Sequence, residues 1–145
     1  IDTIAREPLW RHLINYRCGT GHSVSFVGNV HEGPHALNSR NTTRMRPGMV
    51  VTDEPGVYET DLVGIRIENE LVCVHKADNQ YGTFLGFEPI MFVPIATSPI
   101  VPGVLTKDEL DWLNNYHRQV FEKLAPRLND EEREWLAKKC AAIGC

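Results

Sequence analysis

The spacing of hydrophobic and polar residues divides the chain into a helical start, a strand-rich middle and a helical end. Residues 2–15 predict one or two short helices, because Pro8 suits the first turn of a helix and disrupts a helix interior. Strands are predicted at 49–58, 64–75 and 84–96, which are rich in β-branched and aromatic residues. Their short separation along the chain favours antiparallel pairing in a curved sheet.

A helical period begins after residue 105. Thr106 can cap a helix while the side chain of Glu109 reaches back to it, an arrangement known as a capping box. The apolar face then continues at helical spacing through Leu110, Leu113, His117, Val120 and Leu124. Pro126 ends this helix. A second helix is predicted in residues 129–144, with acidic residues in its first turn and lysines late.

Composition and charge exclude several classes of function. The net charge of −4 and the lack of a basic cluster argue against nucleic-acid binding. No apolar run approaches the roughly 18 residues needed to span a bilayer, so no membrane partner is expected. The cysteines, at positions 18, 73, 140 and 145, lack zinc-clip spacing and predict reduced thiols in a cytoplasmic protein. Because the first residue is Ile, the chain is expected to be a piece of a longer protein or a trimmed one.

Candidate chemistry centres on residues 19–35, where three histidines and four glycines occur within seventeen positions. His22 lies in this stretch, and Glu54 and Glu68 fall inside predicted strands. A charged carboxylate in a half-buried strand is unfavourable unless it is paired or bound to metal. A divalent cation between two such carboxylates would turn repulsion into attraction, and one imidazole with several carboxylates suits Mn²⁺, Co²⁺, Zn²⁺ or Fe²⁺.

Each of these residues also has a purely structural interpretation. Either glutamate could be a solvated or salt-bridged strand residue. Arg66 precedes Glu68 by two positions, lies on the same strand face and could pair with it. His22 could be an ordinary loop histidine with its hydrogen bonds satisfied. Spacing alone therefore leaves both interpretations open.

The motifs GTGH, NVHEGP, DEPGVY and GIRIENELV, in this order, resemble the peptidase family that includes methionine aminopeptidase, prolidase and aminopeptidase P. The segments IAREPLW, FEPIMFVPI and LTKDELDWLNNYH are similar to the longer aminopeptidase P members. The resemblance implies an α+β pita-bread fold, of which this chain would form the C-terminal half. It implies a curved antiparallel sheet with flanking helices in residues 1–104 and a two-helix tail in residues 105–145. That tail would form a homodimer, and Trp112 and Trp135 are expected to pack in it or at its interface.

The resemblance also implies a set of metal ligands. Members of the family hold two divalent metal ions with two aspartates, one histidine and two glutamates. His22, Glu54 and Glu68 match the histidine and the glutamates, and Glu68 matches the residue that bridges both metals. Manganese is expected ahead of zinc or cobalt. The two aspartates have no match in this chain, so it is expected to bind metal weakly or not at all alone.

Further positions match residues that contact the substrate or orient ligands in the family. His31 matches a histidine that hydrogen-bonds the substrate or the tetrahedral intermediate. Cys18 stands where the family has a histidine lining the pocket for the prolyl ring, and His35 is assigned to substrate binding with them. Arg66 matches an arginine that orients the metal ligands.

The activity that the resemblance implies is two-metal hydrolysis of the N-terminal Xaa-Pro bond of a peptide. A metal-activated water would attack the carbonyl carbon, and Glu54 would carry the proton. Two alternatives stay open. The chain could be a non-catalytic peptide-binding or scaffold domain, or it could be a prolidase-like dipeptidase, although the WLNNYH segment disfavours the latter.

Overall fold

A computed structural model of the chain describes residues 1–144. The chain forms two compact units, Ile1–Met91 and Phe92–Cys145, each with its own internal contacts. The first contains one helix and all the strands, and the second contains the remaining helices. Among the described residues, no helix combines the length and apolar character that crossing a bilayer requires.

The N-terminal unit begins with helix α1, Asp2–Trp10. The prediction of a second helical piece starting at Pro8 is wrong, because Pro8 lies inside the last turn of α1. Proline has no N–H to donate and its ring crowds the preceding turn, so a helix rarely continues far beyond it. Here the chain leaves the helix at Arg11 and turns, and Leu13 adopts a left-handed conformation with φ of 59°.

The strands of this unit all pair antiparallel, as predicted, but they form three small sheets. Their bounds are β1 Gly21–His22, β2 Ala36–Leu37, β3 Val50–Asp53, β4 Gly56–Glu59, β5 Val63–Arg66, β6 Asn69–Asn79 and β7 Gly82–Pro89. Strand β1 pairs with β2, β4 pairs with β5, and β6 lies between β3 and β7. An isolated bridge between Ser23 and Val51 also connects the region of β1 to β3.

Each predicted strand is shorter or more broken than expected. The 49–58 segment is interrupted at Glu54 and Pro55, because proline cannot donate to a strand ladder. The 64–75 segment is interrupted at Ile67 and Glu68. Glu54 and Glu68 therefore lie between strands and not inside them, which corrects the sequence expectation. The 84–96 segment ends at Pro89.

The two interruptions face each other. In the β3–β6 ladder the last paired residues are Asp53 and Asn69, and the β4–β5 ladder begins again with Gly56 opposite Arg66. The unpaired residues of one chain segment, 54–55, are thus opposite those of the other, 67–68. This register places both candidate glutamates in one gap between two sheets.

The C-terminal unit contains α2, Lys107–Leu124, a short 3₁₀ helix, Ala125–Arg127, and α3, Asp130–Lys139. The predicted capping box of α2 is confirmed, since Thr106 accepts from the Glu109 N–H and the Glu109 side chain accepts from Thr106. A second capping box starts α3 with Asn129 and Glu132. Together these caps satisfy backbone donors at both helix starts.

The core of this unit consists of Tyr116, Val120, Ala125 and Leu136. Residues that precede the helices pack against it, including Phe92 and Ile95. The expected division into a catalytic part, 1–104, and a tail, 105–145, stays a prediction, and the two compact units divide between residues 91 and 92. The reason is local: the hydroxyl of Tyr116 donates to the carbonyl oxygen of Val93 at 2.9 Å.

The two tryptophans of the helices do not enter this core. Trp112 is 59% exposed and Trp135 is 56% exposed. Trp112 stacks on Tyr116 with ring centroids 5.8 Å apart, and the ammonium of Lys139 lies 5.8 Å from the ring centroid of Trp135. Packing of these rings in the core is thus not observed, and the expected interface remains a prediction.

His117 is the most deeply buried polar residue of α2, with no exposed surface. Its Nε2 accepts a hydrogen bond from the Ile95 N–H at 3.1 Å, and its Nδ1 is buried without a partner among the described residues. Burial lowers the pKa of His117 below its ordinary value of 6.5. The folded unit therefore favours the neutral imidazole.

We expect the C-terminal unit to lose stability as the pH falls below the ordinary histidine pKa of 6.5. The unfolded chain takes up a proton there, whereas folded His117 binds one only at lower pH, so the stabilisation present above 6.5 is lost as pH falls. Urea unfolding, monitored through the NMR signals of α2 and α3 at several pH values from about 7.5 to 5, measures how the unfolding free energy depends on pH. The variant His117→Gln keeps a hydrogen-bond acceptor but has no titrating ring, so its unfolding free energy should depend less on pH. An unchanged pH dependence in that variant would contradict the role of His117.

Candidate metal centre

His22 is held by both its backbone and its ring. Its N–H donates to the hydroxyl oxygen of Thr52 at 3.0 Å, which ties β1 to β3. Its Nδ1 lies 3.0 Å from the carbonyl oxygen of Ser23, and its Nε2 lies 2.9 Å from Oε1 of Glu54. A neutral imidazole has one N–H, so when Nδ1 donates to Ser23 the Nε2 atom presents a lone pair toward the carboxylate.

Glu54 has a partner at each carboxylate oxygen. Oε1 accepts a hydrogen bond from the Thr52 hydroxyl at 2.9 Å and faces His22, while Oε2 contacts the guanidinium of Arg66. The backbone N–H of Glu54 donates to the carbonyl oxygen of Thr20 at 2.7 Å. Only 13% of the side chain is exposed, so these contacts replace most of its hydration.

Arg66 is oriented by Tyr58. The Arg66 Nε donates to the Tyr58 hydroxyl at 2.6 Å. The Tyr58 ring lies over two glycines, since a Cβ added to Gly56 or Gly64 would come within 2.8 Å or 2.9 Å of it. The absence of side chains at these positions lets the ring lie flat across the β4–β5 pair and hold the arginine toward Glu54.

His31 is brought to the ring of His22. The two ring centroids are 3.8 Å apart at an interplanar angle of 45°. The loop between them closes through the Glu32 N–H, which donates to the carbonyl oxygen of Ser23 at 3.2 Å. His31 is exposed, so its ring can be reached from outside the unit.

Glu68 is not gathered into a cluster with the other candidates. It is exposed in the gap between β5 and β6, and Arg66, its possible partner on sequence grounds, contacts Glu54. Across residues 1–144 no group of three or more His, Cys, Asp or Glu side chains is close enough to hold a metal ion. The described chain thus brings together His22 and Glu54 as a pair.

The remaining predicted residues contact backbone carbonyls. His35 lies with Nε2 at 2.9 Å from the carbonyl oxygen of Val50, and its Nδ1 is buried without a partner in residues 1–144. Cys18 is partly buried, with Sγ 3.9 Å from the carbonyl oxygen of Gly56. Their assignment to substrate binding remains a prediction.

The residues next to the two glutamates, Asp53 and Asn69, are polar and partly buried. Burial raises the pKa of Asp53, which directly precedes Glu54. Asn69, opposite Asp53 in the β3–β6 register, has a side-chain oxygen that is buried with no partner among the described residues. The gap thus has a partly buried carboxyl group on one side and an unpartnered amide oxygen on the other.

Sequence reasoning missed Thr52 and Tyr58. Thr52 could have been found, since it precedes Glu54 by two positions, the separation that places side chains on one face of an extended chain. Tyr58 could not, because its role depends on the β4–β5 register, which brings it opposite Gly64 and next to Arg66.

Comparisons with known proteins show the family to which this chain belongs. Residues 1–75 match the metallopeptidase family M24, and residues 83–143 match the family described as the C-terminal region of peptidase_M24. Aminopeptidase P1 of Lotus japonicus is 41% identical over 99% of this chain and 23% of its own length. Aminopeptidase P2 of Arabidopsis thaliana is 45% identical over 94% of this chain and 20% of its own length.

A solved structure extends the similarity to three dimensions. The X-prolyl aminopeptidase of Caenorhabditis elegans, described as a cytosolic enzyme with a di-nuclear active site, superimposes with a TM-score of 0.87 and 38% identity. The match covers 98% of this chain and 24% of that enzyme. The chain belongs to metallopeptidase family M24, has the pita-bread fold of aminopeptidase P and spans about a quarter of the relatives it matches.

We expect Gly21→Ala to disrupt the site, because the added Cβ would lie 1.8 Å from the backbone carbonyl oxygen of Thr52. Overpacking of this kind costs about 1–3 kcal/mol or more of unfolding free energy. Gly19→Ala is the matched control, since its Cβ would meet nothing nearer than 3.5 Å. Urea denaturation measures both; equal stabilities would contradict the close approach of β1 to β3.

Proposed function

We propose that this chain supplies His22, Glu54 and Glu68 to a two-metal site that hydrolyses the N-terminal Xaa-Pro bond of peptides. The observation that carries the proposal is the pair formed by His22 Nε2 and Glu54 Oε1 at 2.9 Å. It is supported by the similarity of nearly the whole chain to an X-prolyl aminopeptidase with a di-nuclear active site.

The donor chemistry of the pair fits a divalent cation. Both His22 nitrogens face acceptor oxygens, and a cation would satisfy the imidazole lone pair and the carboxylate together. Imidazole with carboxylate is a ligand set that manganese, zinc and cobalt all accept, and manganese is proposed first. Glu68 lies in the gap opposite Glu54 and would complete the contribution of this chain.

Bound metal ions would supply a water activated near neutral pH. The side chains of this chain would move the proton and bind the reacting carbonyl oxygen. Glu54, held by Thr52 and Arg66, would carry the proton from that water to the leaving amine. His31, exposed beside His22, would donate a hydrogen bond to the reacting carbonyl oxygen, an interaction worth about 10²–10³ in rate.

The chain is proposed to act within a larger catalytic domain and to be inactive alone. It corresponds to 24% of the C. elegans enzyme, and its described residues provide no three-donor group. The family pattern adds two aspartate ligands that have no match here. Peptides with proline in the second position are the proposed substrates, and a cytoplasmic location is supported by the cytosolic relative and by free Cys18, Cys73 and Cys140.

The second candidate is a non-catalytic domain that binds peptides or proteins. The observation that favours it is the absence of a three-donor metal group within the described part of the chain. In that case the His22–Glu54 pair would be an internal ion pair. Cys18, at the position of a family histidine, would also fit a changed substrate pocket.

A chimera tests the hydrolase directly. This chain replaces the matching quarter of the C. elegans X-prolyl aminopeptidase, and we expect the chimera, with Mn²⁺, to cleave an Xaa-Pro-Xaa tripeptide faster than an Xaa-Pro dipeptide. Loss of the Glu54 charge in Glu54→Gln should lower kcat by about 10²-fold or more. A chelator should abolish activity, and the isolated 145-residue chain should show none.

Glu88→Gln is the matched control for this substitution. Glu88 is an exposed β7 residue paired with Lys76, so its loss should leave kcat unchanged. A folded chimera without activity, or equal kcat values for the Glu54 and Glu88 variants, would favour the binding domain. Faster cleavage of the dipeptide would favour a prolidase-like activity instead.

Homodimer formation through the C-terminal unit is also proposed, supported by the exposed rings of Trp112 and Trp135. We expect the chain to sediment as a dimer, and Trp112→Ser with Trp135→Ser to weaken the dimer at least tenfold, since buried tryptophans commonly contribute about 2 kcal/mol. Trp10→Ser changes an exposed ring in the other unit and is the control. A monomer at high concentration would contradict the proposal.

A further inference from the structure

A buried charge network connects helix α1 to the strand that carries His22. Asp2 is 6% exposed and its Oδ2 accepts a hydrogen bond from Arg6 Nε at 2.9 Å. Its Oδ1 accepts from the hydroxyl of Thr20 at 2.6 Å. Burial alone would raise the pKa of Asp2, but the hydrogen bonds from Arg6 and Thr20 hold it below its usual value. None of these three residues has a role in the proposed hydrolysis.

Arg6 uses the rest of its guanidinium to fix the segment before the GTGH motif. Nη1 donates to the carbonyl oxygen of Tyr16 at 2.6 Å, and Nη2 donates to that of Cys18 at 2.7 Å. The guanidinium carbon also lies 4.0 Å from the centroid of the Tyr16 ring. A planar fork that binds a carboxylate and two carbonyls leaves this segment little freedom.

Thr20 joins this network to the candidate metal centre. Its buried hydroxyl donates to Asp2 and lies 2.5 Å from the Tyr16 hydroxyl, whose hydrogen it can accept. Its backbone carbonyl accepts the N–H of Glu54, and its N–H donates to Leu37. One residue therefore connects α1 to both members of the pair, to Glu54 by a direct bond and to His22 through two further positions of chain.

We propose that Asp2, Arg6 and Thr20 are positioning residues that set the location of His22 relative to Glu54. The inference rests on the proposed function, because positioning matters only if the pair holds metal. A backbone shift of Thr20 would move the Glu54 amide and the start of β1 together, so the network controls the separation of the two donors.

The same helix offers a matched control. Arg11 pairs with Glu7 four residues earlier, as Arg6 pairs with Asp2, but both members of the Arg11–Glu7 pair are exposed. The experiment measures amide hydrogen exchange of the ¹⁵N-labelled 145-residue chain and of its Arg6→Gln and Arg11→Gln variants. In Arg6→Gln we expect the His22 and Glu54 amides to exchange about tenfold faster or more, since bonds to charged groups are lost.

Amides of the β6–β7 ladder should keep their wild-type rates in both variants, and Arg11→Gln should keep them everywhere. A general loss of stability would instead raise the rates of β6–β7 too, which would overturn positioning in favour of a purely structural role. Unchanged His22 and Glu54 amides in Arg6→Gln would overturn it as well. If Arg6→Gln fails to fold, the same exchange rates are measured in Thr20→Ser and Thr20→Val. Serine retains the hydroxyl, so Thr20→Ser should exchange as wild type, whereas in Thr20→Val the His22 and Glu54 amides should exchange faster.

Kinetic measurements on the chimera separate this inference from the proposed function. In the chimera, Arg6→Gln should lower kcat about tenfold or more with little change in KM, as expected for a misplaced catalytic group. Equal kcat values for Arg6→Gln and Arg11→Gln would overturn the inference. An inactive chimera would count against the hydrolase, and the exchange rates would still decide whether α1 positions the pair.

Discussion

The largely buried carboxylate of Glu54 is the constraint on which the N-terminal unit depends. A charge with 13% exposure is unfavourable unless its oxygens have partners, and here Oε1 meets His22 and Thr52 while Oε2 meets Arg66. These partners lie on β1, β3 and β5. One side chain therefore fixes the relative positions of three strands, and the candidate centre results from sheet geometry.

The gap between the sheets is what makes such a residue available. In an unbroken ladder, alternate side chains would point to opposite faces and the backbone would be fully paired. Pro55 stops the ladder after Asp53, and the facing segment leaves it between Arg66 and Asn69. The glutamates in this gap are released from strand alternation, so their side chains can turn toward partners on other strands.

Features with a local signal could be predicted from the sequence, whereas those set by distant contacts could not. The capping box at Thr106 involves residues three positions apart, and it was predicted correctly. Antiparallel pairing followed from the short loops. Pro55 is a local signal for the break at Glu54, whereas the break at Glu68 depends on how two sheets meet. The bond from Thr20 to Asp2 spans eighteen positions. Proximity in sequence left Glu68 open as a partner of Arg66, but Arg66 contacts Glu54.

The geometry of the pair bears differently on the two candidate functions. Without a cation, Nε2 of His22 and Oε1 of Glu54 are direct neighbours at 2.9 Å, and Nδ1 of His22 faces the Ser23 carbonyl oxygen. With a cation, His22 and Glu54 would be neighbouring ligands, and Arg66 would remain paired with Glu54. Both states share the contact between His22 and Glu54, but its placement by α1 bears on catalysis only in the hydrolase. A hydrolase would need further donors to complete the set, and Glu68, in the gap facing Glu54, is the residue of this chain proposed to join them.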